Sequence, residues 1–159
     1  MSGEEQVRWL TPDERAAWLA SAALMVKLPA TLDARLQRAA DLSLFEYMVL
    51  AVLSEQEGRT MQMSEIAAAS SASLSRLSHA VKRLEKLGLI ARSRCAGRGR
   101  RTNATLTEAG YAKVVDAAPA HVADVRDLLI DVITPEEREV LRRVGEKVVS
   151  RLDGGCPGG

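Results

Sequence analysis

The sequence predicts a mainly α-helical fold with a small β-wing, an α+β class, and two observations lead to this prediction. Apolar residues at helical spacing, preceded by capping residues, occupy most of the chain. The one clear strand pattern covers residues 89–107, where two short runs rich in β-branched residues and arginine flank the glycine-bearing turn AGRG. With 159 residues, 47% hydrophobic and 27% charged, the chain has the composition of a protein that buries a core.

The first helix is predicted from its start. Thr11 suits the capping position, Pro12 suits the first turn, and two acidic residues follow where the helix dipole favours them. Pro29 is expected to kink or interrupt this helix, because proline removes a backbone hydrogen bond and clashes with the preceding turn. The helix should then resume over residues 30–40.

Three more helices are predicted before the hairpin. A strongly apolar helix over residues 43–56 is expected to be closed by Gly58. A short helix over residues 64–70 should begin at a Ser64 cap. After a serine-rich turn, a longer helix over residues 73–88 ends at a glycine.

Two helices follow the hairpin, capped by Thr107 and Thr134. Their apolar residues recur at helical spacing and need a surface to cover them, for which a partner subunit is the economical choice. These residues are Val122, Val125, Leu129, Val132, Leu141, Val144, Val148 and Leu152. The predicted division is an N-terminal dimerisation region (1–40), a central domain (41–107), C-terminal dimerisation helices (108–152) and a disordered tail (153–159).

Positive charge is concentrated in residues 73–107. This segment has nine Lys or Arg residues and one acidic residue, Glu85, whereas the rest of the chain has 13 basic and 20 acidic residues. The segment therefore has a net charge of +8 and the rest of the chain a net charge of −7, which together give the chain its net charge of +1. Charge confined in this way indicates a surface that faces a polyanion.

The helix over residues 73–88 carries part of this charge on one side. At about 100° per residue, Leu74, Leu77, Val81 and Leu84 fall on the side expected to enter the core. The opposite side has hydroxyls, an imidazole and cations but no acid: Ser75, Arg76, His79, Lys82, Arg83 and Lys86. A solvated helix face, the simpler interpretation, usually mixes both signs of charge.

A short helix, a turn, a longer helix and a basic hairpin follow one another in the order of a winged helix-turn-helix. An α-helix fits the major groove of double-stranded DNA, and a basic wing reaches the adjacent minor groove. We therefore predict DNA binding by the helix and the wing. The residues expected to contact DNA are Ser73, Ser75, Arg76, His79, Lys82, Arg83, Lys86, Arg98, Arg100 and Arg101.

The same stretches resemble the MarR (multiple antibiotic resistance regulator) family of winged-helix transcription factors. The matching segments are MSEIAAAS, LSRLSHAVKRLEKLGLIAR and ATLTEAG, in the family's order and spacing. The resemblance implies a homodimer that reads a pseudo-palindromic operator and acts as a repressor. It also implies release by a small aromatic or acidic effector bound between the dimerisation helices and the winged domain. Trp18 is the candidate contact, although packing in the core or the dimer is the simpler interpretation of this residue.

The wing tip departs from the family's pattern. The family usually has an aspartate just before its minor-groove arginine, whereas this chain has Arg98 in the acid's place and Arg100 in the arginine's. The resemblance therefore implies a wing without the Asp–Arg brace and with additional charge.

No motif indicates catalysis or a cofactor. The sequence has no phosphate-binding glycine motif, no nucleophile elbow and no paired acid–base constellation. Cys95 and Cys156 lie far apart and lack metal-ligand spacing. We predict no enzymatic activity, no cofactor and no metal. The acidic start and short apolar runs predict a soluble, cytoplasmic protein without a membrane segment.

Two alternative functions stay open. A winged helix can serve as a protein-interaction module, although such a wing has no need of three clustered arginines. A redox-responsive regulator acting through Cys95 is the other alternative, because this cysteine lies among arginines, in the electropositive setting of reactive thiols.

Overall fold

A computed structural model describes residues 7–95 and 101–154. Within this part, the mainly α fold with a small wing is confirmed: six α-helices, a 3-10 turn (Glu57–Arg59) and a π-helical turn (Arg126–Ile130) accompany one three-stranded antiparallel sheet. The order is α1 (Pro12–Ala40), α2 (Leu44–Ser54), β1 (Thr60–Gln62), α3 (Met63–Ala69), α4 (Leu74–Lys86), β2 (Ile90–Arg94), β3 (Thr102–Leu106), α5 (Glu108–Val125) and α6 (Pro135–Asp153).

Side-chain caps fix the start of most of these helices. Thr11, Thr107 and Thr134 each accept a hydrogen bond from the backbone N–H three residues later, which confirms the three predicted caps. Ser43 caps α2 in the same way and forms a reciprocal box with Glu46. The helix boundaries are therefore largely determined by local sequence.

The expected interruption of α1 at Pro29 is wrong, because α1 runs unbroken from Pro12 to Ala40. Proline removes one backbone donor, but the turns around it remain bonded, and the Thr31 hydroxyl donates to the Lys27 carbonyl at 2.8 Å. The last part of α1 is also held by packing, since Leu36 and Ala40 are buried in the core. Tertiary burial here outweighs the local cost of the proline.

Two predicted boundaries are also wrong. Helix α2 ends at Ser54, and Gly58 instead takes a left-handed conformation (φ +64°) in the 3-10 turn Glu57–Arg59. Helix α3 begins at Met63 after a Gln62 cap, so Ser64 lies inside it. Between these points the chain forms β1, which the sequence did not predict because three residues are too few to show alternation.

The sheet has the order β1–β3–β2. Strands β2 and β3 form the predicted antiparallel hairpin, with Ile90 opposite Leu106 and Arg94 opposite Thr102. Strand β1 pairs with the other edge of β3, where Thr60 lies opposite Thr105. The turn between β2 and β3 lies outside the described residues.

One core joins α2, α3, α4 and the base of the sheet to the end of α1 and to part of α5. Its fully buried large side chains are Leu42, Val49, Leu50, Leu53, Ile66, Leu77, Val81, Leu84 and Ile90. The two ends of the described chain are much less buried than this core. Helix α6 has no buried residue, and residues 7–20 are exposed throughout. Helix α6 includes Asp153, and residues 155–159 of the predicted disordered tail lie outside the described part.

Gly110, in the first turn of α5, lies in close contact with Leu89 and with Leu106 of β3. A Cβ at this position would overlap the backbone carbonyl of Leu89 and lie 2.5 Å from Leu106 Cδ1. We therefore expect Gly110→Ala to lower the free energy of unfolding by about 1–3 kcal/mol, measured by urea titration. The matched control, Ala112→Ser, adds one atom at an exposed position of the same helix and should change stability by less than about 0.5 kcal/mol. Equal stability of Gly110→Ala and the wild type would contradict this expectation, because it would show that α5 shifts to accommodate the added Cβ at no cost in free energy.

Candidate nucleic-acid interface

The turn between α3 and α4 sets the direction of the predicted recognition helix. Ser71 has a left-handed backbone (φ +51°), and the Ala72 N–H donates to the Ala67 carbonyl at 2.9 Å. Ser73 then caps α4 by accepting the Arg76 N–H at 3.2 Å. This arrangement of two helices and a tight turn is a helix-turn-helix.

Three fully buried side chains fix the rotation of α4 about its own axis: Leu77, Val81 and Leu84. Leu74 was expected on the same side, and this prediction is wrong because its side chain is 56% exposed. At the first position of the helix, Leu74 lies at the edge of the core, where it lines an open cleft with residues of α3 and the wing. The other apolar positions of the wheel are confirmed.

The centre of the outward face of α4 consists of Ser75, His79, Lys82 and Lys86, all exposed. Neither lysine takes part in a salt bridge with any described residue. These side chains are therefore available to a ligand from outside. An array of hydroxyl, imidazole and ammonium groups can bond base edges and phosphates.

Two other predicted contacts, Arg76 and Arg83, lie on the flank of α4 that faces α2. The Arg76 guanidinium stacks over the Phe45 ring, 4.3 Å from its centroid. Arg83 donates to Glu46 Oε2 at 2.7 Å and to the Asp41 carbonyl at 3.3 Å. The sequence did not reveal these partners, because Phe45 and Glu46 lie some 30 residues earlier.

Glu46 is the acidic residue beneath this flank, and its side chain is only 8% exposed. It accepts hydrogen bonds from the Ser43 N–H at 2.9 Å and from Arg83. Arg83 thus neutralises a buried carboxylate while its own side chain stays 41% exposed. Part of the charge of Arg83 therefore stabilises the fold.

The wing contributes further cations beside α4. Arg92 forms a two-pronged ion pair with Glu85, at 2.9 Å through Nε and 2.7 Å through Nη2, and this bonding lowers the pKa of Glu85. Arg101 is exposed at the start of the returning strand. Arg98 and Arg100 lie outside the described residues. Cys95 is half-buried, and its thiol donates to Asn103 Oδ1 at 3.1 Å.

A cleft of about 400 Å³ separates α4 from the wing. The residues that line it are Leu74 and Ser78 from α4, Arg92, Arg101 and Thr102 from the wing, Gln62 from the end of β1, and Met63 and Ser64 from the start of α3. Sequence reasoning missed Gln62, Met63 and Ser64 because β1, which brings them beside the wing, was not predicted. The wing and α4 together thus form one concave surface, in which cations and hydroxyls lie beside the apolar side chains of Leu74 and Met63.

A second cavity, of about 460 Å³, lies between α1, α2 and α4. Pro29 and Asp33 line it from α1, Phe45 and Met48 from α2, and Arg76 from α4. Trp18, the candidate effector contact, is exposed three turns before Pro29 on α1, about 16 Å along the axis. The structure does not bring Trp18 to this cavity.

Within residues 7–95 and 101–154, no group of three or more His, Cys, Asp or Glu residues is arranged to hold a metal ion. No helix in that part of the chain is long and apolar enough to cross a membrane.

Comparisons with known proteins agree with this geometry. The MarR family model matches residues 40–101. AbsC, a MarR family transcriptional regulator from Streptomyces coelicolor, is 37% identical over 93% of this chain and 99% of its own, with a TM-score of 0.87. Sco3205, a MarR family regulator from the same organism solved in complex with DNA, is 35% identical over 98% of this chain and 95% of its own (TM-score 0.88).

A more distant structure shares the fold. BpsR from Bordetella bronchiseptica, whose DNA binding is regulated by 6-hydroxynicotinic acid, is 20% identical over 86% of this chain and 99% of its own (TM-score 0.68). A comparison with curated protein sequences found no match.

The chain belongs to the MarR family of winged helix-turn-helix transcriptional regulators. The resemblance stated from the sequence is thereby confirmed, and the family's members are regulators, not enzymes.

The Arg83–Glu46 pair predicts that Arg83 contributes to the stability of the fold, whereas its neighbour Lys82 does not. Arg83→Ala should lower the free energy of unfolding by about 1–2 kcal/mol, because it leaves Glu46 buried without its cation, an effect reduced by the exposure of Arg83. Lys82→Ala, one residue away on the outward face, should change stability by less than about 0.5 kcal/mol. Urea unfolding of both variants makes the comparison, and equal stabilities would show that the pair contributes nothing to the fold.

Proposed function

We propose that this protein is a homodimeric repressor that binds a pseudo-palindromic DNA operator and is released by a small-molecule effector. The observation that carries the proposal is the outward face of α4, where Ser75, His79, Lys82 and Lys86 stand exposed beside a basic wing. A regulator of this kind works on chromosomal DNA, so we place it in the cytoplasm.

The predicted contacts fall into three roles. Ser75 and His79, near the start of α4, suit base edges, because the N-terminal part of a recognition helix lies deepest in the major groove. Lys82, Lys86 and Arg101 suit phosphates, as does the hydroxyl of the Ser73 cap. Arg98 and Arg100 belong to the wing tip and suit the minor groove.

Arg76 and Arg83 are proposed as contacts of a different kind. Both are tied to α2, one by stacking on Phe45 and the other by the ion pair with Glu46. An arginine held in this way is preorganised, so it reaches a phosphate with less loss of side-chain entropy than a free one.

The homodimer is proposed from the exposed apolar side chains at both ends of the chain. Trp9, Val132 and Leu152 are among the most exposed of these. Helix α6 has an apolar stripe and no buried residue, so nothing in the described part of one chain covers it. A second copy provides the matching surface, and an obligate interface of this kind buries more than about 2,000 Å².

The effector is proposed from the cavity between α1, α2 and α4. An aromatic acid fits its lining, since Phe45 and Met48 offer apolar contacts and Arg76 offers a charge for a carboxylate. The regulation of BpsR by 6-hydroxynicotinic acid supports a ligand of this class. Because Arg76 belongs to α4, a ligand there would act directly on the recognition helix.

The test of DNA binding uses duplexes selected by the wild-type protein from a randomised pool. Fluorescence anisotropy on the selected duplex and on a scrambled one, at three salt concentrations, should give a slope of log K against log salt of about −7 to −9, from roughly eight to ten phosphates per dimer. His79→Ala should cost about 1–3 kcal/mol on the selected duplex and little on the scrambled one.

Two comparisons control this experiment. Lys82→Ala should weaken binding to both duplexes alike, whereas Lys147→Ala, on α6, should change neither. A slope shallower than about −3, or no preference for any duplex, would contradict the proposal and favour a winged helix that binds a protein.

The dimer is tested on the apolar stripe of α6. Val144→Asp should raise the dimer dissociation constant about 100-fold or more, because each dimer would then bury two unpaired carboxylates. Lys147→Glu, which also adds negative charge to α6 but away from the stripe, should leave the dimer intact. Sedimentation equilibrium measures both, and a Val144→Asp variant that remains dimeric would place the interface elsewhere.

A further inference from the structure

Leu74 is an exposed apolar residue at one edge of the proposed DNA-binding surface, beside the cleft to the wing. Its side chain is 56% exposed, although the other leucines inside α4, Leu77 and Leu84, are fully buried. Single exposed leucines are common on protein surfaces. Leu74, however, is the first residue of the helix that faces DNA in the proposed function. Its exposure therefore presents an apolar side chain to the DNA.

The rotation of α4 places Leu74 beside the wing. With Leu77, Val81 and Leu84 buried, Leu74 and Ser78 fall on the flank that faces the cleft to β2 and β3. The flank opposite carries Arg76 and Arg83. In the proposed docking, α4 enters the major groove and the wing enters the adjacent minor groove, so the sugar-phosphate strand between the two grooves lies along this cleft. A side chain at the first residue of α4 then lies at the edge of the major groove.

The groups that Leu74 can contact there are few. A leucine forms no hydrogen bond, so it gains nothing from phosphates or from the polar edges of bases. The C5-methyl group of thymine is the apolar group that the major groove presents, and the other three bases lack it. The polar neighbours of Leu74 in the cleft, such as Gln62 and Arg101, suit the adjoining backbone.

We infer that Leu74 is a specificity-determining residue, which contacts the C5-methyl group of a thymine in each half-site of the operator. The inference rests on the proposed DNA binding and adds recognition of the thymine methyl group, which hydrogen bonding by Ser75 or His79 does not provide. It requires no change in the fold, since the side chain already projects into the cleft.

Deoxyuridine provides the test, because it differs from thymidine only by the absence of this methyl group. Each thymine of the selected duplex is replaced by deoxyuridine, one symmetric pair at a time, and the affinity of the full-length protein is measured. One pair should weaken wild-type binding about fourfold per half-site, hence about 16-fold for the duplex, as expected for one buried methyl group at each contact. Leu74→Ala should bind the thymine and uracil duplexes equally well.

Leu87→Ala is the matched control, since Leu87 is also an exposed leucine (48%) and lies about 20 Å away at the other end of α4. It should keep the wild-type discrimination between thymine and uracil, and thermal melting checks that both variants are folded. If uracil has no effect at any position, or weakens wild type and Leu74→Ala alike, the inference is overturned while selective DNA binding stands. Failure to select any duplex would overturn the proposed function, and the inference with it.

Discussion

The orientation of α4 depends on the burial of Leu77, Val81 and Leu84, which have no solvent exposure. Each of these side chains contributes about 1.5–3 kcal/mol by leaving water, so rotating the helix by one position would cost more than any single surface contact provides. The burial of these three side chains therefore also sets the direction of every other side chain on α4. Residues at 75 and 79 must point outward, and the two flanks must face the wing and α2.

The positive charge of residues 73–107 is not one uniform patch. Arg83 and Arg92 are paired with Glu46 and Glu85, so part of their charge stabilises the contacts of α4 with α2 and with β2. The pairing also lowers the pKa of Glu85, which keeps this carboxylate ionised and bound to the wing. The exposed lysines of α4 have no such partner in the described part of the chain. The ion pairs thus hold α4 against α2 and β2, and the unpaired cations supply the positive electrostatic potential of the surface.

The long helices are tied to this centre by contacts between α1, α2 and α5. Arg35 of α1 bonds Asp124 of α5 at 2.7 Å and Asp127 at 3.1 Å, and these bonds raise the pKa of the guanidinium. The ring of His121 lies 4.5 Å from that of Tyr47 on α2, and burial lowers the pKa of this histidine. These contacts hold α5 against α1 and α2.

The sequence by itself determined the starts of α1, α5 and α6, the hairpin, the family and the side of α4 that carries charge, because caps, periodicity and charge are local properties of the chain. Tertiary structure decided what depends on distant residues. It kept α1 continuous through Pro29 by burying its last turns, and it formed β1 by pairing with β3. It also left Leu74 exposed at the edge of the core and bound Arg83 to Glu46. A helical wheel gives the direction of a side chain but not the neighbour that covers or pairs it, since that neighbour is supplied by another part of the fold.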